Sequence, residues 1–347
     1  MRKCFFSLVI VFGVIVFGLL LGSSAQATKL VTYSSGGGGG DEARTGAVEG
    51  NYVIDLNRGY AFYLSDSGAG SPEAGDSLVP PDLLRILQGG DAALEAVRQC
   101  LEYIRPMLAN PGGVRQLRAS GALHDAGSVK LLTPLPNPHR ILAIGLNYRE
   151  HIEEVGREMP NALTVFAKAS MPIGPGDPIR IPKIVKQPDY EVELAFVIGK
   201  PASNVSKEDA LDYVAGYMTF NDVTARAIQD RTSQWVLGKS VDTFAVAGPY
   251  LVLKDEIPDP QNLELKTYID DELLQNSNTA DMLFTVADII ADITQFLTLQ
   301  PGTIIATGTP SGVGSGRTPP RWLRPGDTIR VEVQGLGVLE NPVEQGD

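Results

Sequence analysis

The sequence predicts an α+β fold: a β-rich roll of mixed sheet preceded by a small β-rich domain. Three observations predict it. Short apolar strands alternate with short capped helices, turn punctuation by Gly and Pro is dense, and no regular strand–helix–strand period appears, which argues against a doubly wound sheet. The chain has 347 residues, 43% hydrophobic and 20% charged, with two cysteines. That suffices for a substantial core and two domains, and it excludes a disordered chain, a collagen-like repeat and a disulfide scaffold.

Residues 1–27 read as an export signal: basic Arg2 and Lys3, an apolar run from Cys4 to Gly22, then Ser23-Ser24-Ala25-Gln26-Ala27 with small residues where a signal peptidase reads. Cleavage near Ala27 would deliver a periplasmic or secreted protein. The alternative is an uncleaved N-terminal membrane anchor, since the apolar run is long enough to span a bilayer. Cleavage leaves Cys100 alone, so no intramolecular disulfide forms. Its neighbours Leu94, Val97, Leu101 and Ile104 make a helical stripe, which predicts a buried small hydrophobe.

Residues 28–133 are expected to form the accessory domain. Lys29 to Tyr33 reads as a strand, Gly36 to Gly40 as a spacer lacking the strand-to-helix context of a phosphate loop, and Gly46 to Ile54 as a hairpin around Gly50-Asn51. A helix from Asp91 to about Arg105 is stopped by Pro106, which has no amide hydrogen and clashes with the preceding turn. The stretch Pro134, Pro136, Pro138 marks the boundary to residues 134–347. There, strands are expected at Ile141 to Gly145, Glu191 to Ile198, Ile304 to Thr307 and Thr328 to Val333. Ser206-Lys207-Glu208-Asp209 and Thr285-Val286-Ala287-Asp288 each read as a helix N-cap followed three residues later by a carboxylate.

Lys and Arg total 29 against 41 Asp and Glu, a net charge of −12 that repels phosphate backbones and excludes nucleic acid as a partner. The chemistry lies in the second half. On the strand Asp189 to Ile198, alternation projects Glu191 and Glu193 from one face and Val192 and Leu194 from the other. Two adjacent carboxylates either bind a hard divalent cation or are the outward positions of a half-exposed strand. Asp222 is a third carboxylate if the chain folds it back onto the pair, and otherwise a helix N-cap. His151 precedes Glu154 by three residues, so a helix would put both on one face as an oriented base or as a solvated pair. Ala306 to Gly314, rich in Gly and Thr, reads as a close-approach ligand loop or a structural turn.

These pieces follow the order of the fumarylacetoacetate hydrolase family, which the sequence resembles from Pro138 to Val343. The resemblance rests on Ile144-Gly145-Leu146-Asn147-Tyr148 with His151 and Glu154, Phe166 and Lys168, Asp189 to Leu194, Asn221 to Arg226, Gln234-Trp235, Gly238-Lys239-Ser240, Asp242-Thr243-Phe244, Thr307 to Pro310 and Arg324 to Asp327. It implies the family's roll with its small N-terminal domain. It implies that Glu191, Glu193 and Asp222 bind Mg2+ or Mn2+, with Ca2+ possible. Lys239 would sit beside the metal to stabilise an enolate, Arg226, Gln229 and Thr309 would meet the substrate, and His151 with Glu154, on a lid-like segment, would activate water.

The implied activity is metal-dependent hydrolysis of a C–C bond in a 2-oxo or 1,3-dicarbonyl acid, acylpyruvate- or fumarylacetoacetate-like, through a chelated enolate. The alternatives are a decarboxylase, isomerase or lyase of the same family, acting for example on oxaloacetate, 2-hydroxyhepta-2,4-diene-1,7-dioate or ureidoglycolate, and a non-catalytic exported metal-binding protein. A 2-oxo acid substrate and a homodimer are expected. The sequence departs from the family at Ala227, where an acidic residue is usual beside Arg226, and at Val246, where proline is usual. Export is also unusual for a mostly cytosolic family.

Overall fold

The computed structural model describes residues 27–36 and 43–347; the predicted export signal, up to Gln26, and Gly37 to Gly40 lie outside the described residues. Eleven strands form one large sheet: β1 (Lys29–Ser34), β2 (Arg44–Glu49), β3 (Tyr52–Asp55), β4 (Leu123–Asp125), β5 (Lys130–Leu132), β6 (Arg140–Gly145), β7 (Thr164–Lys168), β8 (Val192–Ile198), β9 (Val214–Asp222), β10 (Ala245–Leu253) and β11 (Thr303–Ala306). Their order is β4-β3-β2-β1-β10-β9-β8-β11-β6-β7, with β5 also pairing β1. All pairs are antiparallel except β11 with β6, so the sheet is mixed. The predicted hairpin is present as β2–β3, and β1 continues it into the second half by pairing Leu30 with Leu251 on β10. The predicted accessory segment and the rest of the chain therefore share one sheet.

Each face of the sheet is covered by a different layer. On one, Ala195, Val197, Met218, Phe220 and Leu251 pack with the helices α1 (Leu56–Ser67) and α2 (Gly90–Ile104). The apolar stripe Leu94, Val97, Leu101, Ile104 is the buried side of α2, as its 3.6-residue spacing predicts. Cys100 lies on it, and burial pushes its thiol up to about 12. On the other face, Val192, Leu194, Phe196 and Ile198 pack against a five-stranded mixed sheet that includes Glu264–Ile269, Thr328–Val333 and Gly337–Gln345. The short helix α3 (Arg149–Glu154) follows β6, and α4 (Val286–Ile293) adds Ile289, Ile290 and Ile293 to the second core.

Thr285 caps α4 in a complete capping box with Asp288. The same pattern at Ser206 does not start an α-helix. Ser206 and Asp209 bond each other, and the chain enters only a 3-10 turn, Ala210–Tyr213, before β9 begins at Val214. A box satisfies end groups but does not propagate a helix into a segment whose apolar residues belong to a strand. Among the described residues no helix is long and apolar enough to cross a membrane.

Candidate active site

Strand register builds the site. Val192 lies opposite Asn221 and Glu193 opposite Phe220, and the Asp222 amide donates to the Glu191 carbonyl at 2.9 Å. Side chains alternate along each strand, so Glu191 and Glu193 continue the face of Ala195 and Val197, while Asp222 continues that of Met218 and Phe220. The two rows meet at one end of the sheet, where oxygens of Glu191, Glu193 and Asp222 lie within 4.8 Å of one another. All three are buried, as is every residue of β8, so the half-exposed acidic strand is not what forms. Asp222 closes a strand and caps no helix: Thr224 Oγ1 donates to its carbonyl at 2.8 Å, and the next helix starts at Arg226.

Three cations answer these charges. Lys239, ending the turn of helix Val236–Lys239, places Nζ 2.6 Å from Glu191 Oε2 and 2.7 Å from Asp222 Oδ2. Lys168, ending β7 on the same face as buried Phe166, contacts Asp222 Oδ1. Arg226 donates from Nε to Asp189 Oδ2 at 2.8 Å, and its Nη2 lies 2.6 Å from Glu191 Oε1. Asp189 in turn accepts the amides of Gly314 and Ser315.

Burial acts upward on Glu191, but Lys239 and Arg226 overcome it and hold its carboxyl below the usual range. Burial pulls Lys239 down, and Asp222 with Glu191 more than restores it, so it stays a cation. Glu193 makes no ion pair among the described residues. Its partner is the Gly308 amide at 2.8 Å, offered by a backbone at φ +97° that favours glycine. Burial first, then the charges of Asp222 and Glu191, raise it well above the usual carboxylate range. A cluster of three buried carboxylates, one lacking a cationic partner, fits a hard divalent ion bound through oxygen.

His151 is buried on α3, its Nδ1 3.2 Å from Glu154 Oε2. Glu154 Oε1 accepts the Gly312 amide at 2.9 Å, so α3 is docked against the loop after β11. Leu146 and Gln187, on the walls of the site, hold φ of +53° and +56°, the strained backbone that surrounding bonds must impose. Asn147 imposes it at the first: its amide donates to the carbonyls of Phe284 and Thr307, and its Oδ1 accepts the Phe284 amide.

A cavity of about 250 Å3 opens here, walled by Glu191, Glu193, Lys239, Arg226, Gln229, His151 and Thr309 among the predicted residues, with Phe166, Trp235 and Trp322 on its apolar side. Asp222 and Glu154 stand behind the wall. The Gln229 side-chain oxygen Oε1 accepts from Arg226 Nη1 at 3.1 Å. The Thr309 hydroxyl donates to the Val192 carbonyl at 3.0 Å and accepts from Gln275 at 2.9 Å. Its proton is thus already engaged, a use the sequence reading did not foresee. Lys168, Asp189, Asn147 and Gln275 were given no role by sequence reasoning. Lys168, Asp189 and Asn147 stand in motifs that carry the family resemblance, whereas Gln275 carried no signal.

The chain is similar in sequence and fold to known proteins. Residues 140–344 match the family model of the fumarylacetoacetate (FAA) hydrolase C-terminal region. The mitochondrial oxaloacetate tautomerase fahd2 of Xenopus laevis is 37% identical over 324 residues, 92% of this chain and 92% of its own. Among solved structures, fumarylacetoacetate hydrolase from psychrophilic Exiguobacterium antarcticum is similar at a TM-score of 0.71 and 31% identity, covering 92% of this chain and 100% of that one. Maleylpyruvate hydrolase from Sphingobium sp. SYK-6, in complex with manganese (II) ion and pyruvate, is similar at 0.66 and 28% identity, with the same coverage.

Proposed function

We propose that this chain, which belongs to the fumarylacetoacetate hydrolase family, is a divalent-metal-dependent enzyme that interconverts the enol and keto forms of a small 2-oxo acid, with oxaloacetate as the first substrate to test. One observation carries this reading: Glu191 and Glu193 of the carboxylate cluster, Lys239 and His151 face a single cavity of about 250 Å3, with Asp222 behind its wall, a volume suited to a small acid. The oxaloacetate tautomerase that matches along 92% of the chain supports the choice of substrate.

Glu191, Glu193 and Asp222 would hold magnesium or manganese, which when bound polarises the 2-oxo group and favours negative charge on its oxygen. The chain's own residues do the rest. His151 Nδ1 is engaged by Glu154, which leaves Nε2 to take the proton from the carbon beside the 2-oxo group. The C–H electron pair moves into the new carbon–carbon double bond, and the carbonyl pair moves to oxygen. Glu154 stabilises the imidazolium that forms, while Lys239 stabilises the oxygen only as its charge develops. Reprotonation at oxygen completes the enol, and the reverse sequence gives the keto form. Arg226 and Gln229 orient the substrate's carboxylate, and Phe166 with Trp235 restricts water on the apolar wall.

A second reading, hydrolytic cleavage of an acylpyruvate, is favoured by the same His151–Glu154 pair, which could draw a proton from water instead. The decay of the oxaloacetate enol band with added magnesium or manganese tests the first reading. Acceleration is expected, and His151→Ala should lower it by roughly 10²-fold or more while leaving metal affinity nearly intact. No acceleration with either metal would overturn the tautomerase reading, and pyruvate release from an acylpyruvate would establish the second.

A further inference from the structure

We infer that Arg157 receives the far carboxylate of the substrate and makes this cavity selective for 2-oxo dicarboxylic acids over monocarboxylic ones; this rests on the reading of the cavity as a 2-oxo acid site. The position of Arg157 follows from how α3 stops. Gly156 adopts φ +64°, its amide donates to the Glu153 carbonyl, and the Arg157 amide donates to the Ile152 carbonyl, each at 3.0 Å. This pair of bonds is a Schellman motif, which satisfies the last helical carbonyls and turns the chain sharply. Arg157 therefore leaves α3 at a defined point on the wall that already carries His151, and it is exposed where the cavity opens to solvent.

Charge singles it out. The cavity is walled by three always- or mostly-cationic side chains. Lys239 and Arg226 are neutralised by Glu191, Asp222 and Asp189. The Arg157 side chain makes no ion pair or hydrogen bond among the described residues, and neither does that of Asp230, the exposed acid on the same wall. In a protein of net charge −12, a dianion entering this mouth meets one uncommitted cation, and its planar donor fork matches a carboxylate. A monocarboxylic 2-oxo acid, anchored deep at the cluster, would leave Arg157 unused.

The test compares metal-loaded wild type with Arg157→Leu and Arg157→Lys. Binding of pyruvate, which has the 2-oxo acid head without the far carboxylate, is measured by calorimetry, and KM and kcat are measured for oxaloacetate. Arg157→Leu should raise KM for oxaloacetate about tenfold or more with a smaller change in kcat, leave pyruvate affinity within about twofold, and be partly rescued by Lys, as expected for loss of one charged hydrogen-bonding partner. Equal weakening of both ligands, or no change in either, would overturn the inference while sparing the 2-oxo acid reading. Failure of wild type to bind pyruvate or turn over oxaloacetate would overturn both.

Discussion

Glu193 differs from Glu191 and Asp222 in having an amide, not a cation, as its partner, and a specific proton balance follows. An unfolded glutamate ionises near its ordinary value of 4.5, whereas burial and the neighbouring carboxylates raise Glu193 well above that in the fold. Between the two values the native state holds one more proton than the unfolded state, so this group's contribution to stability is full at low pH and is lost as pH rises through the folded value. Metal ligation requires the carboxylate, so binding must expel that proton. Magnesium or manganese binding should therefore be accompanied by proton release, measured by calorimetry in two buffers of different ionisation enthalpy. Glu193→Gln should bind more weakly and release almost none; intact binding by wild type with no proton release would contradict this account. Glu191 and Glu193 were legible because alternation is local. The roles of Lys168 and Asp189 were not, since their partners Asp222 and Arg226 lie 54 and 37 residues away and only tertiary folding brings them together.

At the scale of elements, what the sequence made legible was each strand and its parity, and what it hid was register. Alternation in β8 put two carboxylates on one face, but only the β8–β9 pairing, Val192 opposite Asn221, decides that Asp222 joins them and is not an N-cap. Likewise the Ser206 and Thr285 boxes read alike, and the fate of the next turn was settled by whether its apolar residues packed as helix or strand. The loop after β11 shows how an element's end serves the site. At Gly308 an added Cβ would lie 2.9 Å from Asn147 Cβ and 3.0 Å from the Ile144 carbonyl, on a backbone at φ +97°. Gly308→Ala should therefore cost about 1–3 kcal/mol of stability. It should also weaken manganese binding, because the amide that holds Glu193 must shift. Thermal melting with a manganese titration checks both; unchanged melting would show that the loop relaxes freely.

Over the whole molecule, the large sheet is a middle layer, and its two coverings come from different parts of the chain. Helices α1 and α2, from the first half, bury Ala195, Val197, Met218 and Phe220 of β8 and β9, the same strand face that carries the carboxylates further along. Without residues 28–133 that face would meet water, and β10 would lose its neighbour β1. The boundary at Pro134 to Pro138 is clear in the sequence because proline breaks local structure, yet it does not separate two independent cores, a fact only long-range contacts reveal. The full chain is therefore expected to unfold in one transition. The two tryptophans, Trp235 and Trp322, both lie in the second half, so their fluorescence reports the site region, while far-ultraviolet circular dichroism also follows α1 and α2. Denaturant curves from the two probes should coincide, and residues 134–347 expressed alone should fail to give a monomeric, cooperatively folding protein. An earlier midpoint by dichroism than by fluorescence would mean that the helical layer detaches while the carboxylate cluster stays folded, and that the first half is a removable cover rather than part of the sheet's core.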